Sequence, residues 1–219
     1  MARLPALIDA LAAADGRPRR SVDHVAREVR EAGFIQTTKR GRGAAEMTSL
    51  DAAYLLLGLY GAATPADAKA AAQEMAEFRN IVPGSVCPEL EAIRAAPNLL
   101  HALAALIELS PLFAPPDSLA DNFMEIGGEA RHPELLPKGW TVHLTFMRPV
   151  VSVWLALARP DPSEEQGYCE IIFVFDGKTH PAPPRRPFVT IKTRVNGGVI
   201  RAVHHSLYGS DTGFKTLKG

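Results

Sequence analysis

Near the start of the chain, apolar residues recur at the spacing i, i+3, i+4 and i+7, which places them on one face of a helix. These residues are Leu4, Leu7, Ile8 and Leu11. This pattern predicts a helix over residues 4–14, which Gly16 ends in the left-handed conformation. A second apolar stripe predicts another amphipathic helix, with Ser21 as its N-cap and Gly33 after its end. Its members are Val22, Val25, Ala26 and Val29.

A short polar segment with glycines follows the second helix. Residues 35–38 are predicted to form a strand, residues 39–43 a turn and residues 44–47 a returning strand. Thr48 or Ser49 then caps a strongly apolar helix over residues 52–59. Three further helices are predicted in the middle of the chain, over residues 64–79, 89–96 and 98–109.

The C-terminal part of the chain has a different pattern. Residues 110–139 lose periodicity among prolines and glycines, which predicts a connector. Beyond it, Asn196-Gly197 is typical of a tight hairpin. Five segments rich in β-branched and aromatic residues predict strands, at 140–147, 150–158, 168–175, 188–194 and 199–206.

Helices first and strands second predict an α+β fold, and 219 residues suffice for one large domain or two small ones. We predict an N-terminal winged-helix-like DNA-binding domain over residues 1–62. A helical linker or oligomerisation region would follow over residues 63–112. Residues 113–219 would form an antiparallel, β-rich C-terminal domain.

Charge is balanced over the whole chain, with 24 basic and 24 acidic residues. Any affinity for nucleic acid must therefore come from a local patch. Residues 17–42 contain eight basic residues and three acidic ones, a local excess of five positive charges. Clustered basic groups are what the release of counterions from DNA requires.

This basic stretch predicts a DNA-binding surface. The second helix would lie in the major groove, and the basic turn after it would reach phosphate or the minor groove. The predicted contact residues are Arg17, Arg19, Arg20, Ser21, His24, Arg27, Arg30, Lys39, Arg40 and Arg42. The alternative interpretation is a solvated charged helix followed by a basic loop.

The stretch LIDALAAADGRPRRSVDHVAREVREAGFIQTTKRGRGAAEMT resembles the helix-turn-helix and wing of bacterial and phage winged-helix regulators. The step from Val29 through Gly33 to Ile35 matches the end of their recognition helix. The stretch also resembles uncharacterised prophage-associated proteins. The resemblance implies duplex DNA as the partner, and a helix over residues 49–59 would pack where those proteins have their first helix.

Other chemistry has little support in the sequence. Cys87 and Cys169 form neither a disulfide framework nor a zinc motif, and no nucleophile elbow or phosphate loop occurs. The adjacent His204 and His205 would point to opposite faces of a strand, which disfavours a shared metal ion. A set of carboxylates at i, i+4 spacing is better explained as a solvated acidic face, and it comprises Asp117, Asp121, Glu125 and Glu129.

We therefore expect a cytoplasmic transcriptional regulator, bacterial or prophage-derived, that binds double-stranded DNA and has no enzymatic activity, cofactor, metal or membrane span. The apolar helix over residues 98–109 suggests a homo-oligomer, although core packing explains it equally well. The β-rich part would contact a protein partner or sense a ligand. The alternative function is a phage structural, packaging or adaptor protein without sequence preference.

Overall fold

The structure is a computed structural model that describes residues 3–36, 46–82, 87–113, 139–148, 152–161, 163–164, 168–177 and 191–209. The α-helices are α1 (Leu4–Asp15), α2 (Arg19–Glu31), α3 (Ser49–Gly61), α4 (Ala68–Ala76), α5 (Glu91–Arg94), α6 (Leu99–Glu108) and α7 (Gly197–Tyr208). The strands are β1 (Arg79–Asn80), β2 (Thr141–Arg148), β3 (Ser152–Pro160), β4 (Tyr168–Asp176) and β5 (Ile191–Asn196). The mixture of helices and antiparallel strands confirms the α+β class.

The first two helices bury the apolar stripes that predict them, and Gly16 follows α1 at a φ of 66°. The predicted start of α2 is three residues too late. Pro18 occupies the N-cap position without a side-chain cap, and its carbonyl accepts the Ser21 N–H at 2.9 Å. Because this bond closes the first turn, Ser21 lies inside the helix and not at its cap.

Helix α3 is buried along most of its length because α2, α4 and α6 pack around it. Thr48 caps it, as predicted, through a reciprocal pair of hydrogen bonds with Asp51. The Asp51 N–H donates to Thr48 Oγ1 at 3.1 Å, and the Thr48 N–H donates to Asp51 Oδ2 at 2.9 Å. The cap gives the most apolar helix of the N-terminal region a defined first residue.

The helix predicted over residues 64–79 is shorter in the structure. A 3₁₀ turn, Pro65–Asp67, precedes α4, and the chain leaves the helix before Phe78. Phe78 is buried, and its carbonyl accepts the Leu99 N–H at 2.7 Å, which takes this backbone out of helical hydrogen bonding. Residues 79 and 80 form β1 instead, antiparallel to β4. The predicted helix over 89–96 is similarly reduced to a 3₁₀ turn, Pro88–Leu90, and the single-turn α5.

The five strands form one antiparallel sheet in the order β1-β4-β3-β2-β5. Strands β2, β3 and β4 lie within two residues of their predicted positions. Alternate residues face the core, as expected for a sheet that buries one face. They include Leu144, Phe146, Val153, Leu155, Leu157, Phe173 and Phe175.

The prediction of a last strand over residues 199–206 is wrong, because the structure places these residues in helix α7. Asn196 does not begin a hairpin. Its side-chain oxygen accepts the Val199 N–H at 3.2 Å and caps the helix. The buried residues of α7 follow helical spacing, and they are Val199, Ile200, Val203 and Leu207.

One hydrophobic core joins the N-terminal helices to the sheet. Helix α7 packs against α1, α6 and β2, and Tyr60 of α3 lies 6.0 Å from Phe146 of β2 between ring centroids. Residues from all three predicted domain ranges share this core. The proposed domain boundaries near residues 62 and 112 stay a prediction. Both boundaries fall beside helices that contribute residues to the shared core.

Candidate nucleic-acid interface

Helices α1 and α2 are joined by a three-residue turn, residues 16–18. The left-handed Gly16 allows the chain to turn at the end of α1. Arg19 Nε donates to Asp9 Oδ1 at 2.5 Å across the two helices. This hydrogen bond, with the charge of Asp9, raises the pKa of Arg19.

Six of the ten predicted contact residues lie on α2. Ser21 is half-buried, whereas the other five are exposed, and they are Arg19, Arg20, His24, Arg27 and Arg30. The buried stripe of α2 faces α1, α3 and α4, so the exposed side chains lie on the remaining surface. The structure thus places most of the predicted set on one accessible helix.

Acidic neighbours offset part of this charge. Arg27 lies 3.9 Å from Asp23, and His24 lies 3.7 Å from Glu28. Arg20 and Arg30 form no ion pair with another described residue. Because α2 carries four arginines and three carboxylates, its own surface is close to neutral. Strong attraction of a polyanion would need basic groups beyond α2.

Arg17 is half-buried and contacts the end of α3. Its Nη1 donates to the Leu59 carbonyl at 3.1 Å, its guanidinium lies 4.9 Å from the Tyr60 ring centroid, and it forms an ion pair with Asp15. Leu59 lies in the last turn of α3, where carbonyls have no partner inside the helix. Arg17 therefore joins the turn between α1 and α2 to the end of α3.

The basic segment 37–45 follows α2, and Lys39, Arg40 and Arg42 lie outside the described residues. Its flanks are described, and the strands predicted over 35–38 and 44–47 are absent there, since Ile35, Gln36 and Met47 belong to no strand. Ile35 is buried, and the preceding Phe34 stacks on Tyr54 of α3 at 4.9 Å between ring centroids. The chain is bent at Phe34 and Ile35, where it packs against the core.

Asp51 accepts hydrogen bonds from described residues on both sides of the basic segment. The Gln36 N–H donates to Asp51 Oδ1 at 3.3 Å, and the Thr48 N–H donates to Asp51 Oδ2 at 2.9 Å. Asp51 itself is buried, with 6% of its surface exposed. Because one carboxylate binds both flanks, Gln36 and Thr48 lie close together. The sequence predicts the cap but gives no sign of this second bond.

The described residues also bear on two other features, a metal site and a membrane span. Among the described residues, no group of three histidine, cysteine, aspartate or glutamate side chains is arranged to hold a metal ion. His204 and His205 lie on α7, and His204 Nδ1 is 2.9 Å from the Ile107 carbonyl. The predicted acidic face from Asp117 to Glu129 lies outside the described residues. No helix in the described ranges is long and apolar enough to cross a membrane.

Comparison with protein-family models, curated proteins and solved structures found no match to this chain. The resemblance to winged-helix regulators therefore stays a prediction, and the candidate interface depends on the geometry described above.

Proposed function

We propose that this protein is a DNA-binding transcriptional regulator that holds duplex DNA between α2 and the basic segment 37–45. The observation that carries the proposal is the bond from both flanks of that segment to Asp51. The described flanks of a basic segment are thus held together directly after an exposed helix, at the place in the chain where a wing follows a recognition helix. The short turn at residues 16–18, between the packed helices α1 and α2, supports this interpretation.

The two parts of the interface would act differently. Helix α2 fits the width of the major groove, where Arg20, His24 and Arg27 could reach base edges. Its near-neutral charge makes it a poor source of general affinity. Lys39, Arg40 and Arg42 add three positive charges, so the segment would supply most of the attraction to phosphate. Affinity and sequence preference would thus have separate sources.

A regulator that recognises two-fold symmetric sites would act as a homo-oligomer, which we also propose. Helix α6, the predicted self-association surface, buries most of its apolar side chains within the chain, including Leu100, Leu103 and Ile107. The oligomer would therefore use a surface other than this apolar stripe. A protein partner for the β-rich part would contact the outer face of the sheet, where Trp154 and Ile172 are exposed.

The test is equilibrium binding of the purified protein to fluorescent duplexes, one of random sequence and one from its own upstream region, over a salt series. We expect salt-dependent binding with preference for the upstream duplex. Arg30→Ala should weaken binding, whereas Arg94→Ala, which removes an exposed arginine of α5, is the matched control. Binding without preference would favour the packaging or adaptor function. No binding at low salt, or equal loss in both variants, would refute the proposed interface.

A further inference from the structure

Two cysteines that lie 82 positions apart in sequence meet beside Arg159. In the register of β3 and β4, Arg159 is directly opposite Cys169. Residues that are opposite in an antiparallel pair project from the same face of the sheet. Arg159 Nη2 also lies 3.8 Å from Cys87 Sγ. Both cysteines therefore lie beside the Arg159 side chain.

The neighbourhood is held by several contacts. Arg159 Nη1 donates to Glu89 at 3.0 and 2.7 Å, and the guanidinium lies 4.7 Å from the Trp140 ring centroid. Trp140 Nε1 donates to the same Glu89 carboxylate at 3.0 Å. Glu89 lies two residues after Cys87 and Trp140 precedes β2, so these contacts fix the Cys87 backbone over the end of the sheet.

Both cysteines are free, half-buried thiols beside the Arg159 side chain. We propose that Cys87 and Cys169 are a thiol–disulfide exchange site, which low-molecular-weight disulfides convert to an intramolecular disulfide. Such a bond would join the 3₁₀ turn at Pro88–Leu90 to strand β4, and so tie the helical part of the chain to the sheet. This site is independent of the proposed DNA interface.

The reaction has two exchanges. The Cys87 thiol loses its proton, and its sulfur attacks one sulfur of the small disulfide, which breaks the S–S bond and releases one small thiolate. The Cys169 sulfur, after losing its proton, then attacks Cys87 Sγ and releases the second small thiolate. Both small thiolates take up protons. Two protein thiols are oxidised by two electrons in total, and one disulfide is reduced to two thiols.

The order of attack follows from the surroundings of Cys169. Burial raises its pKa to about 11, and the neighbouring Cys87 adds to the effect. The Cys169 thiol therefore has a smaller thiolate fraction at neutral pH than an ordinary cysteine, which makes it a slow first nucleophile. Cys87 accordingly attacks first, and Cys169 resolves the mixed disulfide.

The experiment treats the reduced full-length protein with oxidised glutathione, blocks the remaining thiols with an alkylating reagent and measures the intact mass. The wild type should lose about 2 Da and both alkylation sites, and a peptide linking Cys87 to Cys169 should appear. Cys169→Ser should accumulate a glutathione adduct on Cys87. Cys87→Ser should form its adduct on the order of tenfold more slowly, because its remaining thiol has the smaller thiolate fraction.

A second measurement separates a native site from chance oxidation. The equilibrium constant for disulfide formation against glutathione should be at least about tenfold higher in buffer than in denaturant, since the fold brings the sulfurs together. Glutathione adducts on both cysteines of the wild type, disulfides between chains, or equal constants in buffer and denaturant would each overturn the proposal.

Discussion

Arg17 lies over the ring of Tyr60, with the guanidinium carbon 4.9 Å from the ring centroid. The contact places a basic residue of the turn after α1 on the last turn of α3, where Arg17 also binds the Leu59 carbonyl. Burial raises the pKa of Tyr60, and the charge of Asp15 raises it further, so the ring stays a neutral phenol at physiological pH. Arg17 thus joins the turn between α1 and α2 to the end of α3, and its side chain is only partly exposed.

Replacing Arg17 should therefore lower stability more than replacing an exposed arginine of α2. We expect Arg17→Met to reduce the free energy of unfolding by about 1–2 kcal/mol, because the Leu59 carbonyl loses its donor and the Tyr60 ring its cation. Arg20→Ala, which removes an exposed arginine from the first turn of α2, should change the free energy of unfolding little. Denaturant unfolding of both variants gives the comparison. Equal stability of the two variants would contradict the structural role of Arg17.

Local patterns predict the N-terminal helices and the central strands, because each buries one periodic face. The same patterns could not predict α7. Its valine and isoleucine residues favour a strand by intrinsic preference, and packing against α1 decides in favour of a helix. Asn196 illustrates the ambiguity, since an asparagine before glycine suits both a hairpin and a helix N-cap.

The candidate interface could be predicted only in part for a related reason. Exposure of Arg20, Arg27 and Arg30 follows from the helical period of the apolar residues on α2. The half-buried position of Arg17 depends on Leu59 and Tyr60, which are more than 40 residues away in the chain. The meeting of Cys87 with Cys169 likewise depends on the register of β3 and β4, which no single segment specifies.

Gly58 allows α3 to approach α2 closely. A Cβ at this position would lie 2.7 Å from Val29 Cγ2 and 3.4 Å from Val25 Cγ1. Alanine favours a helix by about 1 kcal/mol over glycine, but the clash falls on a β-branched side chain with little freedom. We expect Gly58→Ala to destabilise the protein by about 1–3 kcal/mol, measured by denaturant unfolding.

Gly61→Ala is the control for that variant, because its Cβ would meet Met75 Sδ at 2.6 Å, an atom of a flexible side chain that can move. Its cost should be clearly smaller. A Gly58→Ala variant as stable as the wild type would show that α2 and α3 are not packed this closely.

Asp51 and Asp67 permit a test of how the basic segment is held. Both carboxylates accept the N–H and hydroxyl of a threonine three residues earlier, but only Asp51 also accepts the Gln36 N–H among the described residues. Asp51→Ala should cost about 1–3 kcal/mol of stability, since it removes a buried carboxylate that accepts three side-chain and backbone hydrogen bonds. It should also weaken DNA binding under conditions where the variant is folded.

Asp67→Ala should cost less stability, because its cap is exposed, and should leave DNA binding unchanged. Circular dichroism and the duplex-binding assay measure the two effects. Similar DNA affinities of the two variants would show that the Asp51 hydrogen bonds are not needed for DNA binding.

Glu89 should make stability depend on pH. The hydrogen bond from Trp140 lowers the pKa of Glu89 against the opposing effect of burial, and Arg159 lowers it further. A lowered pKa means that the ionised form stabilises the fold. That contribution is complete above the usual glutamate pKa, about 4.3, and is lost as pH falls through the lower native value.

We expect Glu89→Gln to destabilise the protein at pH 7 by about 0.5–1 kcal/mol, a modest value because the carboxylate is partly exposed. The difference from the wild type should shrink towards pH 3. Urea unfolding at several pH values measures it, with Glu91→Gln as a control for an exposed pair with Arg94. A difference that is constant with pH would exclude the charge of Glu89 as its cause.

Arg40 and Arg42 should determine general affinity for DNA if segment 37–45 binds phosphate. The slope of log affinity against log salt falls by about 1 for each phosphate that the protein no longer neutralises, so the double alanine variant should have a slope lower by about 2. Binding should weaken to a similar extent on upstream and random duplexes, because phosphate contacts carry no sequence information. The control removes two positive charges elsewhere, at the exposed Arg94 and Lys192. If the slope falls equally in both double variants, net charge explains the binding and the segment does not contact DNA.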